Sequence, residues 1–163
     1  MKQRGVTLIQ MMFGLAMAAL LTQLGMPAYS KWSDDLHRTA TARDLAQSLR
    51  SARSHAMLQG QAVLVQSVED DWGKGWRVVL ENNRQLLREH RLSRAQRIDS
   101  NMGNQVKFSA QGIPLGATNN FRAGRLEVCK PTAVVSQYQL VLASSGRVDL
   151  RTDEPKHPLC AGP

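Results

Sequence analysis

Lys2-Gln3-Arg4-Gly5-Val6-Thr7-Leu8-Ile9-Gln10-Met11-Met12-Phe13 opens a stretch that carries no formal charge from Gly5 to Ser30. As a helix, a run of that length crosses the ~30 Å hydrocarbon core of a bilayer. A secretory signal peptide places a basic region before its apolar core and a small-residue cleavage site after it. Here a glycine separates the basic leader from the apolar run. Ala16-Met17-Ala18 has the composition of a cleavage site, yet the apolar run continues well past it. An ordinary signal anchor or signal peptide is the plain alternative.

The helix is expected to continue beyond the apolar run. Pro27 removes one backbone hydrogen bond and Gly25 weakens the same turn, so a bend is predicted between Gln23 and Pro27. From Lys31 to Gln59 the sequence has neither Gly nor Pro. Leu36, Ala42, Leu45, Leu49, Ala52 and Ala56 recur there largely at spacings of three and four, with Arg38, Arg43, Arg50 and Arg53 among them. That is an amphipathic helix with one face to bury. Gly60 is its natural stop. At ~1.5 Å per residue, a helix from Val6 to Gln59 runs about 80 Å.

Past Gly60 the period changes. Strands are predicted at Gln61–Gln66, Trp76–Leu80, Gln85–Leu92, Val106–Ser109, Arg125–Cys129, Gln137–Leu142 and Arg147–Arg151, with helix the alternative for Gln85–Leu92 on propensity. Glu69-Asp70-Asp71, Asn82-Asn83 and Ser144-Ser145-Gly146 supply turns, and the tail from Thr152 reads as loop. Trp72 and Trp76 bracket what reads as a Gly-Lys-Gly turn. One long helix followed by strands implies an α+β fold, with a mostly antiparallel sheet laid over the helix's apolar face. The organisation read from the sequence is a leader over 1–5, a transmembrane or filament-core half-helix over 6–30, an amphipathic half over 31–60, and a β-rich head over 61–163.

The chain has 163 residues and a formal charge of +8, which leaves room for one soluble domain after the anchor. A basic surface suits nucleic acid or other anionic polymers, and it also serves solubility alone. Cys129 and Cys160 are the chain's two cysteines. An even pair in a domain carried to an oxidising compartment is most simply a disulfide.

Gly5 at the junction, the Thr7-Leu8-Ile9 that comes after it and the later Pro27 together resemble the leader and first helix of type IV pilins and type II secretion pseudopilins. That resemblance implies a prepilin peptidase that cuts after Gly5 and N-methylation of the new terminus, Val6. Two positions depart from the pattern: Val6 stands where Phe, Met or Leu is usual, and Gln10 replaces a glutamate thought to pair with a neighbouring subunit's N-terminal amine. Farther on, Leu49-Arg50-Ser51-Ala52-Arg53-Ser54-His55-Ala56, Gly75-Trp76-Arg77-Val78, Leu87-Arg88-Glu89-His90, Phe108 with Gly112, Leu126-Glu127-Val128-Cys129 and Ser145-Gly146-Arg147-Val148 occur in the order of the GspH/FimT (FimU-like) family of minor pilins and pseudopilins. The resemblance implies a pilin-like fold and a non-enzymatic subunit in the inner membrane, single-pass, with a periplasmic head. Its implied partners are other major and minor pilins or pseudopilins, the prepilin peptidase and, in the DNA-uptake branch, double-stranded DNA. The implied role is assembly or priming of a type IV pilus, with twitching motility or DNA uptake downstream. A competence-pilus DNA receptor and an H-type minor pseudopilin are the alternatives.

Enzymatic chemistry finds no support in the motifs. His37, His55, His90 and His157 are scattered, and no Cys or His pairs have zinc-ligand spacing. Glu69-Asp70-Asp71 lacks the ligand-and-glycine alternation of a calcium loop. There is neither a Gly-x-Ser-x-Gly elbow nor a glycine-rich phosphate loop; no metal and no cofactor is expected. The one site-like cluster is basic: Arg122, Arg125, Lys130, Arg147, Arg151 and Lys156. The DNA-binding branch of the family carries Gly-Arg-x-Arg near the C-terminus; this chain has Gly146-Arg147-Val148 and then Asp149. In a strand Arg147, Asp149 and Arg151 share a face, which sets a carboxylate between two guanidiniums. Arg147, Arg151 and Lys156 are the candidate DNA contacts. A charge-guarded edge strand is the structural alternative.

Overall fold

The computed structural model describes residues 7–116, 119–131, 134–153, 155 and 157–162. Its first element is α1 (Leu8–Gln59), a helix of 52 residues that runs unbroken through Gly25 and Pro27. Thr7 precedes it, and the Thr7 N–H donates to Gln10 Oε1 at 3.1 Å. This is the return arm of a capping box, written in the sequence as Thr-x-x-Gln. At the other end Gly60 adopts φ 62°, and the Gln61 N–H donates to Ala56 O at 3.2 Å. A left-handed glycine with that six-to-one bond is a Schellman stop, which satisfies a carbonyl the helix would otherwise leave open.

The chain divides into two compact units, one ending at His37 and the other beginning at Arg38. In the first, the described large apolar side chains from Leu8 to Met26 are 61–79% exposed, on every side of the helix. The segment is long and apolar enough to cross a membrane. Thr22 spends its hydroxyl on the carbonyls of Ala18 and Ala19, so it presents no unsatisfied donor to an apolar medium. Tyr29 and Trp32 stand at the end of the apolar run, ring centroids 6.3 Å apart.

Among the described residues, the second unit is built on the remainder of α1 and nine strands. β1 (Val63–Val68), β2 (Asp71–Leu80), β3 (Leu86–Arg91), β5 (Gln105–Phe108) and β6 (Pro114–Leu115) form one sheet in the order β3-β2-β1-β5-β6. β4 (Ile98–Ser100), β7 (Gly124–Cys129), β8 (Ser136–Leu142) and β9 (Val148–Arg151) form a second, in the order β4-β7-β8-β9. Every pairing between these strands is antiparallel. Two sheets therefore stand where one was expected. A 3-10 helix, Leu159–Ala161, lies in the tail.

Ala42, Leu45, Ala46, Leu49, Ala52 and Ala56 present one buried face of α1 to both sheets. Val63, Val65, Trp76, Val106 and Phe108 meet it from the first sheet; Leu126, Val128, Leu140, Leu142 and Val148 meet it from the second. The alanines give the close approach and the leucines fill the space between. Leu36, placed on this face by spacing, is 50% exposed and belongs to the other unit. A second correction concerns Trp72 and Trp76. Their Gly-Lys-Gly interval is not a turn but part of β2, so residues four apart fall on one face and both indoles are buried. The chain reverses one step earlier, at Glu69 and Asp70, both at positive φ, as a two-residue hairpin turn requires.

Candidate functional site: the junction, the basic surface and the tail

Gly5 and Val6, the expected processing site, lie outside the described residues, as does Lys156. Immediately after that junction stands the capped start of α1, whose first carboxamide, Gln10, is engaged by its own backbone.

Gly146 sets up the C-terminal basic region. It sits at φ 81°, and a Cβ there would fall 2.0 Å from Gly112 O, so both the turn and the close approach require glycine. Gly146 N–H donates to Ala143 O at 2.9 Å, closing the turn from β8 into β9. Arg147 comes next, and its Nη2 lies 2.9 Å from Asp149 Oδ2. The Arg147 side chain remains 70% exposed, and β9 is the outer strand of its sheet. Arg151 ends the strand, exposed. Two residues missed by sequence reasoning complete the region. Arg50 Nη2 donates to Val148 O at 2.9 Å, and Arg53 donates through Nε to Gly112 O at 3.0 Å and through Nη2 to Ser145 O at 3.1 Å. These helix arginines fasten the β8–β9 turn onto α1. With Arg147, Ser54, Gly146 and Val148 they line a cleft of about 180 Å³. Their spacing of three on α1 was the available signal; their acceptors are main-chain carbonyls, which no motif encodes.

Two other basic residues of the sequence cluster have their own partners. Arg122 Nη2 donates to Asn101 O at 2.9 Å. Arg125 Nε stands 3.3 Å from Glu127 Oε1, and its Nη2 donates to His157 O. The cluster is thus divided between a strand edge and a tail clamp.

That clamp is built around Glu127, whose side chain is fully buried. Glu127 Oε2 accepts the Leu159 N–H at 2.8 Å, which caps the first turn of the 3-10 helix. Arg97 Nη2 donates to Cys160 O at 2.9 Å and pairs with Asp99 at 3.0 Å. A disulfide joins Cys129 to Cys160. Asp99 and Glu127 stand opposite each other across β4 and β7, each with an arginine to offset its charge. A buried carboxylate is costly without such partners.

On the first sheet two carboxylates, Glu69 and Glu89, are paired at the surface. Lys74 hydrogen-bonds Glu69 at 2.8 Å, and this bond and its charge hold the Glu69 carboxyl below the usual glutamate range. The hydrogen bond from Arg91 does the same to Glu89, which also takes Arg77 Nε at 2.9 Å. Both groups sit at the surface, where such pairs contribute little to stability.

The family described as Type II transport protein GspH matches residues 41–146 of the chain. No curated protein matches it in sequence. Among solved structures, the Pseudomonas aeruginosa type IV minor pilin FimU is similar in two crystal forms. The P21 form gives a TM-score of 0.62 at 22% identity, covering 77% of this chain and 98% of that one. The P65 form gives 0.60 at 23%, covering 73% and 98%. At these identities the likeness is one of fold: a long helix under antiparallel sheets. The family match spans the last part of α1, the first sheet and most of the second, about two thirds of the chain, and on that ground the chain belongs to the GspH family of pilin-like proteins.

Proposed function

We propose that this chain is a minor pilin-like subunit that works by assembly: cleaved after Gly5, anchored in the inner membrane by the first half of α1, with its head in the periplasm. Its partners are other pilins or pseudopilins, met through the apolar helix, and its work is to help assemble or prime a type IV pilus. The observation that carries this reading is the contrast within α1. The same helix that buries Leu45 and Leu49 fully in the head leaves Leu8, Ile9 and Phe13 at 79, 71 and 69% exposed. An apolar surface of that extent needs lipid or other helices.

Processing tests the reading. Replacing Gly5 with a bulky residue is expected to leave an uncut precursor that stays in the membrane and does not join filaments. Intact-mass analysis of the membrane form decides the matter: a mature chain that begins anywhere but Val6 defeats the proposal. A DNA-receptor role is the second reading, favoured by exposed Arg147 and weakened by its pairing with Asp149.

A further inference from the structure

Between α1 and β3 lies a recess of about 240 Å³, lined by Ser48, Ser51, Ala52, His55, Val78, Leu87 and Arg88. Its floor is apolar: Ala52 and Val78 are 1% and 6% exposed. Its rim is cationic and polar. The side chains of Arg88, His55 and Ser51 make no hydrogen bond or ion pair among the described residues. Their neighbours contrast with them. Arg77 and Arg91 share Glu89, Lys74 holds Glu69, and Lys107 holds Glu81. Arg88 is therefore an unneutralised guanidinium at the mouth of an apolar recess, on a sheet where nearby cations are paired. β3 is also the outer strand of its sheet, with one edge open to a further extended segment.

We propose that this recess receives an acidic side chain from the head of a different pilin-like subunit; the inference rests on the assembly reading above. Arg88 offers a planar fork that fits a carboxylate through two parallel hydrogen bonds. Ser51 supplies a hydroxyl donor and His55 a ring N–H, which imidazole has in either protonation state. The methylenes of a glutamate or aspartate lie on Ala52 and Val78. The recess is far larger than the ~30 Å³ share of one water, so a carboxylate side chain fits with room for solvent. The bare cation at an open edge rejects basic segments and admits acidic ones, which is specificity by repulsion as well as attraction. A second copy of this chain is the poorer occupant, because each copy, once cleaved after Gly5, still carries a formal +6, the full chain's +8 less Lys2 and Arg4.

The test uses the full-length chain in cells that carry its own assembly genes. A photo-crosslinking benzoylphenylalanine replaces Leu86, which lies on β3 beside the recess without lining it and is 52% exposed. A second chain carries it at Phe13, in the apolar helix. The expected product at position 86 is a peptide of another subunit containing Asp or Glu. Its yield should fall by about tenfold or more with Arg88→Glu, the scale of losing charge-assisted hydrogen bonds, and should largely survive Arg88→Lys. Folding of each variant is checked by resistance of the head to limited proteolysis, and His55→Ala, which removes one of the recess's donors, should lower the yield in the same direction. A crosslink to a second copy, to nucleic acid or to lipid overturns the proposal, as does one indifferent to Arg88→Glu. Crosslinking at 13 but not at 86 overturns the recess alone; silence at both positions overturns the assembly reading beneath it.

Discussion

Asp149 governs how the C-terminal cations face solvent. Its carboxylate holds Arg147 at 2.9 Å, so the guanidinium is exposed in area but half-spent in charge. Duplex DNA would have to displace that carboxylate and overcome its repulsion of phosphate. Asp149→Arg, which restores a second arginine to the Gly-Arg-x-Arg pattern, is expected to tighten binding of duplex DNA by the detergent-solubilised chain. It should also steepen the plot of log affinity against log salt by about 0.9 for each additional phosphate neutralised. Wild-type binding as tight and as salt-sensitive as the variant's would show that Asp149 does not gate this surface. Arg50 and Arg53 are unsuitable as probes here, because each holds backbone carbonyls of the turn and its loss would disturb the site and the fold together.

At the scale of elements the tail is the most informative. It is held three ways: by the disulfide, by arginine donors to the carbonyls of His157 and Cys160, and by Glu127 to the Leu159 N–H. Glu127→Ala should cost roughly 1–3 kcal/mol by leaving that N–H and Arg125 short of a partner. Cys160→Ser should cost roughly 3–4 kcal/mol in the chain-entropy model for a loop of this length. Equilibrium denaturation with the disulfide intact and reduced separates the two; a Glu127→Ala protein as stable as wild type would show that the clamp does not hold the tail. Elements with a local signature were legible from the chain alone: the three-and-four spacing of Ala42, Leu45, Leu49, Ala52 and Ala56, the stop at Gly60, and the alternation of β7 and β8. β4 was not legible, because Ile98-Asp99-Ser100 becomes a strand only by pairing with β7. The two-residue β6 likewise takes its form from β5. The division into two sheets was hidden for the same reason, since alternation marks a face but not a partner. Reading Gly73 and Gly75 as a turn followed propensity; both are in β2 because neighbouring backbone comes too close for any side chain, with Gln96 O and His90 O at 1.9 and 2.2 Å from where a Cβ would stand. The recess at Arg88 was beyond sequence reasoning altogether, since whether an arginine has a partner is a fact of tertiary structure.

For the whole molecule the deciding question is its place in an assembly, and Gln10 bears on it most directly. In a filament stacked by amine-to-carboxylate pairing, each subunit's glutamate neutralises the N-terminal amine of its neighbour. Gln10 brings no charge to that exchange, and its Oε1 is already taken by the Thr7 N–H at 3.1 Å. Capping its own helix and receiving a neighbour's ammonium are competing uses of one carboxamide. An amine buried beside it unpaired costs on the order of several kcal/mol. In the assembly proposed above, with the chain cleaved after Gly5, the defect would act on one side only, because the Val6 amine would still reach the glutamate of another subunit. A subunit that can be accepted by a neighbour but accepts one poorly belongs at or near a filament end, which suits priming better than bulk growth. Quantitative mass spectrometry of sheared filaments is expected to find it at a small fraction of the major subunit's copy number. Gln10→Glu should raise that fraction by supplying the missing charge while leaving the Thr-x-x-Glu capping box intact. Copy number comparable to the major subunit, or a Gln10→Glu chain that assembles no differently, would refute the placement and leave Gln10 with its helix-capping role alone.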